Sequence, residues 1–134
     1  MLKECLENVR KASPLIHNIT NYVTINDVAN VLLACGASPI MSDDAEDAAQ
    51  ITSICAGLNI NLGQLHKSGV EGMRRAGKKA AELGHPVLLD PVGVGVSDFR
   101  RETAYMLMQE IRFSAIRGNA SEIHALAEGR RSAR

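Results

Sequence analysis

The stretch "PVLLDPVGVGVSDFRRETAYMLMQEIRFSAIRG", residues 86–118, decides the fold class. It opens on an apolar run that ends at Asp90 and a Pro-Val-Gly-Val-Gly turn. Ser97 or Asp98 then opens a helical stretch that runs to Ile111, and a second apolar run covers residues 113–118. Strand, helix and strand joined by short connections form a βαβ unit, whose two strands lie parallel.

The same alternation extends in both directions. Residues 6–13 read as a short helix stopped before Pro14, because the residue before proline avoids helical backbone. Residues 14–20 read as a strand. Residues 26–36 read as a helix, with Val28, Val31, Leu32 and Cys35 three and four apart and Gly36 as its C-cap. A strand at 38–41 follows, then a helix over 44–57 with acidic residues in its first turn, where the dipole favours them. A strand is expected at 58–63, a helix at 66–84 and a last helix at 119–129. Repeated alternation of this kind predicts an α/β fold: a mostly parallel central sheet with helices on both faces. No shift in composition marks a second domain, and the length of 134 residues suits one.

Composition narrows the function classes. Hydrophobic residues make up 46%, which excludes a disordered chain. Aromatics are only 3%, which argues against a base-stacking platform for nucleic acid. Lys+Arg and Asp+Glu balance at 15 each, so no whole-chain field draws the protein to nucleic acid or an anionic membrane. Arg130, Arg131 and Arg134 form a basic end, read as a solvated end or a cut linker. Cys5, Cys35 and Cys55 form no CxxC pair and are odd in number, which points to a reducing cytoplasm rather than a disulfide framework. The N-terminus is too polar for a signal peptide and no run reaches transmembrane length.

In open α/β sheets, ligands bind at the carboxyl ends of the strands. Asp90 leaves such an end, and Gly93 and Gly95 let the backbone pass close to a ligand. Asp90 can hold Mg²⁺, directly or through water, or accept backbone N–H groups in a turn. In "RGNASE", Asn119 is a good N-cap and Glu122 sits at the N3 place of a capping box. The same helix start also presents free N–H groups to a phosphate, and Arg117 adds a fixed positive charge. "HNITNYVT" is rich in hydrogen-bonding groups, including Asn21, that suit a polar ligand or simple loop chemistry. His17 reads as a satisfied structural histidine before it reads as a catalyst. Met41, at a strand tip, is either core or the floor of an apolar pocket.

"SPLIHNITNYVTINDVANVLLACGASPIM", "LNINLGQL", "PVLLDPVGVG" and "AIRGNASEI", in this order, resemble the hydroxyethylthiazole kinases over residues 10–129. The resemblance implies a three-layer ribokinase-like fold with a mostly parallel central sheet. It implies ATP-dependent, Mg²⁺-assisted phosphorylation of the hydroxyethyl group of 4-methyl-5-(2-hydroxyethyl)thiazole in thiamine salvage. It assigns Met41 and Asn21 to the substrate pocket, Arg117 and Asn119 to ATP, and Glu122 and Asp90 to the metal. It also implies a homotrimer with active sites between subunits. Residues 1–134 match the N-terminal part of that single domain. The "TGxGC"-like anion hole and the residue that activates the hydroxyl have no match here, so no catalytic residue is assigned. The 134 residues alone are therefore expected to be inactive, and, with strand edges and apolar faces uncovered, to be aggregation-prone or to fold only by self-association. Two other readings stand beside the kinase: a catalytically dead thiazole- or nucleotide-binding or interaction protein, and a kinase of the same fold acting on another small alcohol.

Overall fold

The computed structural model describes the backbone of residues 1–132 and the side chains of residues 1–129. The basic end at Arg130, Arg131 and Arg134 lies outside the described side chains. Helices and strands alternate as α1 (Leu2–Ala12), β1 (Leu15–Ile19), α2 (Ile25–Cys35), β2 (Ser38–Met41), α3 (Ala48–Ser53), β3 (Gly57–Asn61), α4 (Lys67–Leu83), β4 (Val87–Asp90), α5 (Asp98–Glu110), β5 (Ala115–Ile116) and α6 (Ala120–Ser132). The strands form one five-stranded sheet in the order β2-β1-β3-β4-β5. Every neighbouring pair is parallel, so the α/β fold with a parallel sheet is as the alternation requires.

Register decides which side chains share a face. His17, Leu58 and Val87 line up across β1, β3 and β4, as do Ile19, Ile60 and Leu89. These residues are 0–2% exposed. The aliphatic ones pack with Met73, Ala76 and Ala80 of α4, Ala104 and Leu107 of α5, Ala48 of α3 and Leu126 of α6. The other face carries Ile16, Asn18, Asn59, Leu88 and Ala115, which line a groove with α1 and α2 residues such as Val9, Val28 and Leu32. Helices thus lie on both faces, but among the described residues α1 and α2 leave the second face open over β3–β5.

Helix ends follow their caps. Gly36 and Gly84 close α2 and α4 with positive φ. Ser97 caps α5 by accepting the N–H of Arg100. Two expected elements are shorter than the sequence pattern suggests. The acidic stretch Asp44–Asp47 is not a helical first turn: Asp44 Oδ1 accepts the Glu46 N–H at 2.8 Å, a local turn bond that holds back the helix until Ala48. The strand expected at 113–118 contracts to Ala115–Ile116, paired only to β4 and exposed.

Gly72 of α4 is buried against the backbone of the β2–α3 loop, and a Cβ placed there would lie 2.2 Å from the Asp43 carbonyl oxygen. Backbone cannot swing aside as a side-chain tip can. Gly72→Ala should therefore destabilise the protein by about 1–3 kcal/mol, against a helix-propensity gain of about 1 kcal/mol. A lowered urea midpoint in the variant checks this, and an unchanged or raised midpoint would show that α4 can move off the loop freely.

Candidate active site

The carboxyl edge of the sheet gathers the loops after β1, β2, β3, β4 and β5. Sheet order reverses between β1 and β3, the place where doubly wound sheets open a crevice. Here the two loops are tied across it: the Tyr22 N–H donates to Gln64 Oε1 at 3.1 Å. Asn21 is held in its own turn, where Oδ1 accepts the Thr24 N–H and hydroxyl, each at 3.0 Å.

A cavity of about 180 Å³ lies beside this crevice, lined by Asn18, Thr20, Tyr22, Ile25, Met41 and Asp43 among others. Met41 therefore does reach a cavity, whereas Asn21 is not part of its lining. The Thr20 hydroxyl, buried at this wall, has no hydrogen-bond partner among the described residues. The cavity's outer rim is a side-chain cluster that the sequence did not single out. Asp43 Oδ2 accepts the Tyr22 hydroxyl at 2.5 Å and His66 Nε2–H at 3.1 Å. His66 Nδ1 accepts the Gly69 N–H and so caps α4, which fixes the proton on Nε2. Burial pushes the Asp43 carboxyl up, but the hydrogen bonds from Tyr22 and His66 outweigh it and hold the group below the usual carboxylate range. Its only sequence signal was the "SDD" at a strand's carboxyl end.

A second cluster joins β3, β4 and β5. Asp90 Oδ2 accepts Asn61 Nδ2 at 3.2 Å and pairs with the Arg117 guanidinium. Asp90 is nearly buried, while the Arg117 side chain is 67% exposed. Arg117 thus keeps donors directed to solvent. Asn119 and Glu122 form the reciprocal capping box: Asn119 Oδ1 accepts the Glu122 N–H at 3.0 Å, and Glu122 Oε2 accepts the Asn119 N–H at 2.9 Å. Glu122 Oε1 reaches further and accepts the Gly93 N–H at 3.1 Å. Gly93 has φ +67°, a turn conformation that suits glycine. Arg100, also missed in the sequence, donates to the carbonyls of Leu62, Gly63 and Val92 and so stitches the loops after β3 and β4. Among the described residues no group of three His, Cys, Asp or Glu side chains gathers as a metal cage.

His17 is fully buried and structural. Its Nε2 lies 2.8 Å from the Ser42 carbonyl, which can only accept, so Nε2 carries the proton. Burial lowers its pKa, which keeps the ring neutral. Nδ1 lies 2.9 Å from the Thr52 hydroxyl, whose single proton is shared with the Ala48 carbonyl, also at 2.9 Å. Through these bonds His17 fastens the loop that follows Met41.

Fold and site together define a doubly wound α/β protein with a cavity and a capped helix start on one sheet edge. A sequence profile of the hydroxyethylthiazole kinase family matches residues 6–134. This chain belongs to that family. It is 64% identical over 129 residues to a hydroxyethylthiazole kinase of Clostridium acetobutylicum, which covers 96% of this chain and 47% of that protein. The corresponding enzyme of Ruminiclostridium cellulolyticum is 56% identical over 122 residues, 91% of this chain and 45% of the relative. The structure of the hydroxyethylthiazole kinase from Pyrococcus horikoshii superposes with a TM-score of 0.88 and 38% identity, over 97% of this chain and 52% of the other. A receiver domain of a Pseudomonas aeruginosa sensor histidine kinase superposes at 0.57 with 16% identity, a likeness of fold alone. The chain spans about half the length of the relatives it matches. Among the described residues no helix is long and apolar enough to cross a membrane.

The lowered His17 pKa fixes the sign of a pH effect. The unfolded chain takes up a proton near pH ~6.5 that the buried ring refuses, so stability is full above that pH and falls as pH drops below it. Urea midpoints should decline from pH 7.5 to pH 5.5, values chosen to bracket about 6.5. His17→Gln should lower the midpoint at the higher pH and flatten the decline. An equal slope in both proteins would remove His17 as its cause.

Proposed function

We propose that this chain is the substrate-pocket and near-phosphate part of a kinase that moves the γ-phosphoryl group of ATP to the hydroxyethyl oxygen of 4-methyl-5-(2-hydroxyethyl)thiazole, in thiamine salvage. The observation that carries the reading is the placement of the Met41 cavity and the Arg117–Asn119–Glu122 cluster on one sheet edge of a chain in this family. An apolar floor with polar walls suits a small heteroaromatic alcohol. Asn21 stands on the turn beside that cavity and supports its wall. The exposed donors of Arg117 and the start of α6 suit ATP phosphates. In the transfer, the bond from the γ-phosphorus to the bridging oxygen breaks, a bond to the alcohol oxygen forms, and ADP leaves. We assign the group that takes the hydroxyl proton to the part of the relatives' length that this chain does not match.

The residues present fit Mg²⁺. Both side-chain contacts of Asp90 fall on Oδ2, which leaves Oδ1 for an ion or its water. Each Glu122 oxygen accepts a single backbone N–H. Two carboxylates without a third match the habit of Mg²⁺, which keeps waters and phosphate oxygens as its other ligands. When bound, the ion would neutralise phosphate charge. Glu122 is the better ligand, since Arg117 already offsets the charge on Asp90. The whole protein is proposed to act in the cytoplasm as a homotrimer. Free Cys5, Cys35 and Cys55 support the compartment. A second reading, an assembly or binding partner without activity of its own, is favoured by the open sheet face.

The test is ATP-dependent phosphorylation of the thiazole alcohol by this chain and by a chimaera. In the chimaera, the remainder of the Clostridium acetobutylicum relative follows residue 129. The chimaera is expected to be active and the 134-residue chain inactive. Preference of the chimaera for a pyrimidine alcohol, or no transfer at all, would overturn the reading. Within the chimaera, Arg117→Ala should raise KM for ATP about tenfold through lost ground-state binding. Glu122→Gln should raise the Mg²⁺ concentration for half-maximal rate about tenfold.

A further inference from the structure

The cavity beside Met41 carries charge of one sign. Among the residues that line it, Asp43 alone is charged at neutral pH, and neither Lys nor Arg is among them. The hydrogen bonds from Tyr22 and His66 hold the Asp43 carboxyl below its usual range, so it is an anion there. A second carboxylate stands just behind the lining: Asp47 Oδ2 accepts the Ser42 hydroxyl at 2.7 Å.

Two features make that charge effective. It is not offset by a fixed cation. Asp90, further along the same sheet edge, is paired with the Arg117 guanidinium, whereas Asp43 is met by a phenol and an imidazole. It is also held in place. His66, fixed as the N-cap of α4, grips the Asp43 side chain, and Gly72 of the same helix leaves room for the Asp43 carbonyl. The cavity is only about 180 Å³, so a charge on a ligand seated in it lies within the screening length of ~8 Å at physiological salt. The Tyr22 ring, at the same wall, adds a π face that attracts cations.

We propose that Asp43 is the charge selector of the Met41 cavity: it admits neutral and cationic heteroaromatic alcohols and turns away anionic ligands of the same shape. The inference deepens the reading above and rests on it for the heteroaromatic alcohol. It gives the rim a task in the transfer. ATP phosphates are kept out of the cavity meant for the alcohol, and a newly phosphorylated product is pushed from it.

The experiment measures dissociation constants of the 134-residue chain for three ligands of similar shape. These are the thiazole alcohol, its N-methylthiazolium cation, and the thiazole acetate in which a carboxylate replaces the terminal CH2OH. A protonated His66 would offset the Asp43 charge, so binding is read at pH ~8, above the ordinary histidine range. In the parent, the acetate should bind about tenfold more weakly than the alcohol. That gap should narrow as salt is raised. Asp43→Asn keeps an oxygen that accepts from Tyr22 and removes the charge. It should lower the acetate-to-alcohol ratio of Kd values about fivefold and raise the thiazolium-to-alcohol ratio about threefold. Asp43→Glu, which keeps the charge, should hold both ratios near the parent's. Loss of an anchoring bond alone would weaken all three ligands together. Ratios that Asp43→Asn leaves in place, a parental gap that salt does not change, or no binding of alcohol or cation would overturn the inference. Kinase activity of the chimaera is a separate readout. An inactive chimaera beside opposite shifts of the two ratios overturns the proposed function and leaves the selector standing. An active chimaera with unmoved ratios does the reverse.

Discussion

The structure depends on burial of one face of a parallel ladder. Leu58, Ile60, Val87 and Leu89 lose almost all contact with water, and Met73, Ala76, Ala80, Ala104 and Leu107 close over them. Each buried aliphatic side chain is worth about 1.5–3 kcal/mol. A slip of one residue in β3 or β4 would exchange this row for Asn59 and Leu88, so burial on one side locks the register. That register also sets Asn61 opposite Asp90 at the carboxyl edge. The site's second cluster is therefore a consequence of how the core packs.

Polar groups at that edge tie its loops and helix start together. Arg100 gathers three loop carbonyls, and Glu122 closes both its own helix start and the turn at Gly93. These bonds hold a turn and a helix N-terminus in fixed positions, the preorganisation on which the proposed phosphate role rests. His17 does the same work for the other cluster from inside the core, by anchoring the Ser42 carbonyl. The open face is the counterpart of this order. Its Asn18–Asn59 pair is half satisfied and its aliphatic residues are half exposed.

Much of the fold was legible in the chain. Strand 38–41 and the helix ends at Gly36 and Gly84 fall where the sequence puts them, since tight turns and caps depend on local chemistry. The helix before Cys55 and the strand before Arg117 were overestimated. An Asx turn at Asp44 competes with the helix, and β5 has one neighbour only. Of the site, the Asn119–Glu122 cap was readable because its partners are three residues apart. Arg100 was not, since its acceptors are up to 38 residues away.

The sequence by itself determined the α/β alternation, the glycine and polar caps and the motif that places the chain in its family, because all of these are periodic or local. Tertiary structure alone decided that Asp90 meets Arg117, that Asp43 joins Tyr22 to His66, and that one sheet face is sealed while the other stays open. Those outcomes depend on which strands become neighbours, and strand order is set by packing between segments distant in the chain.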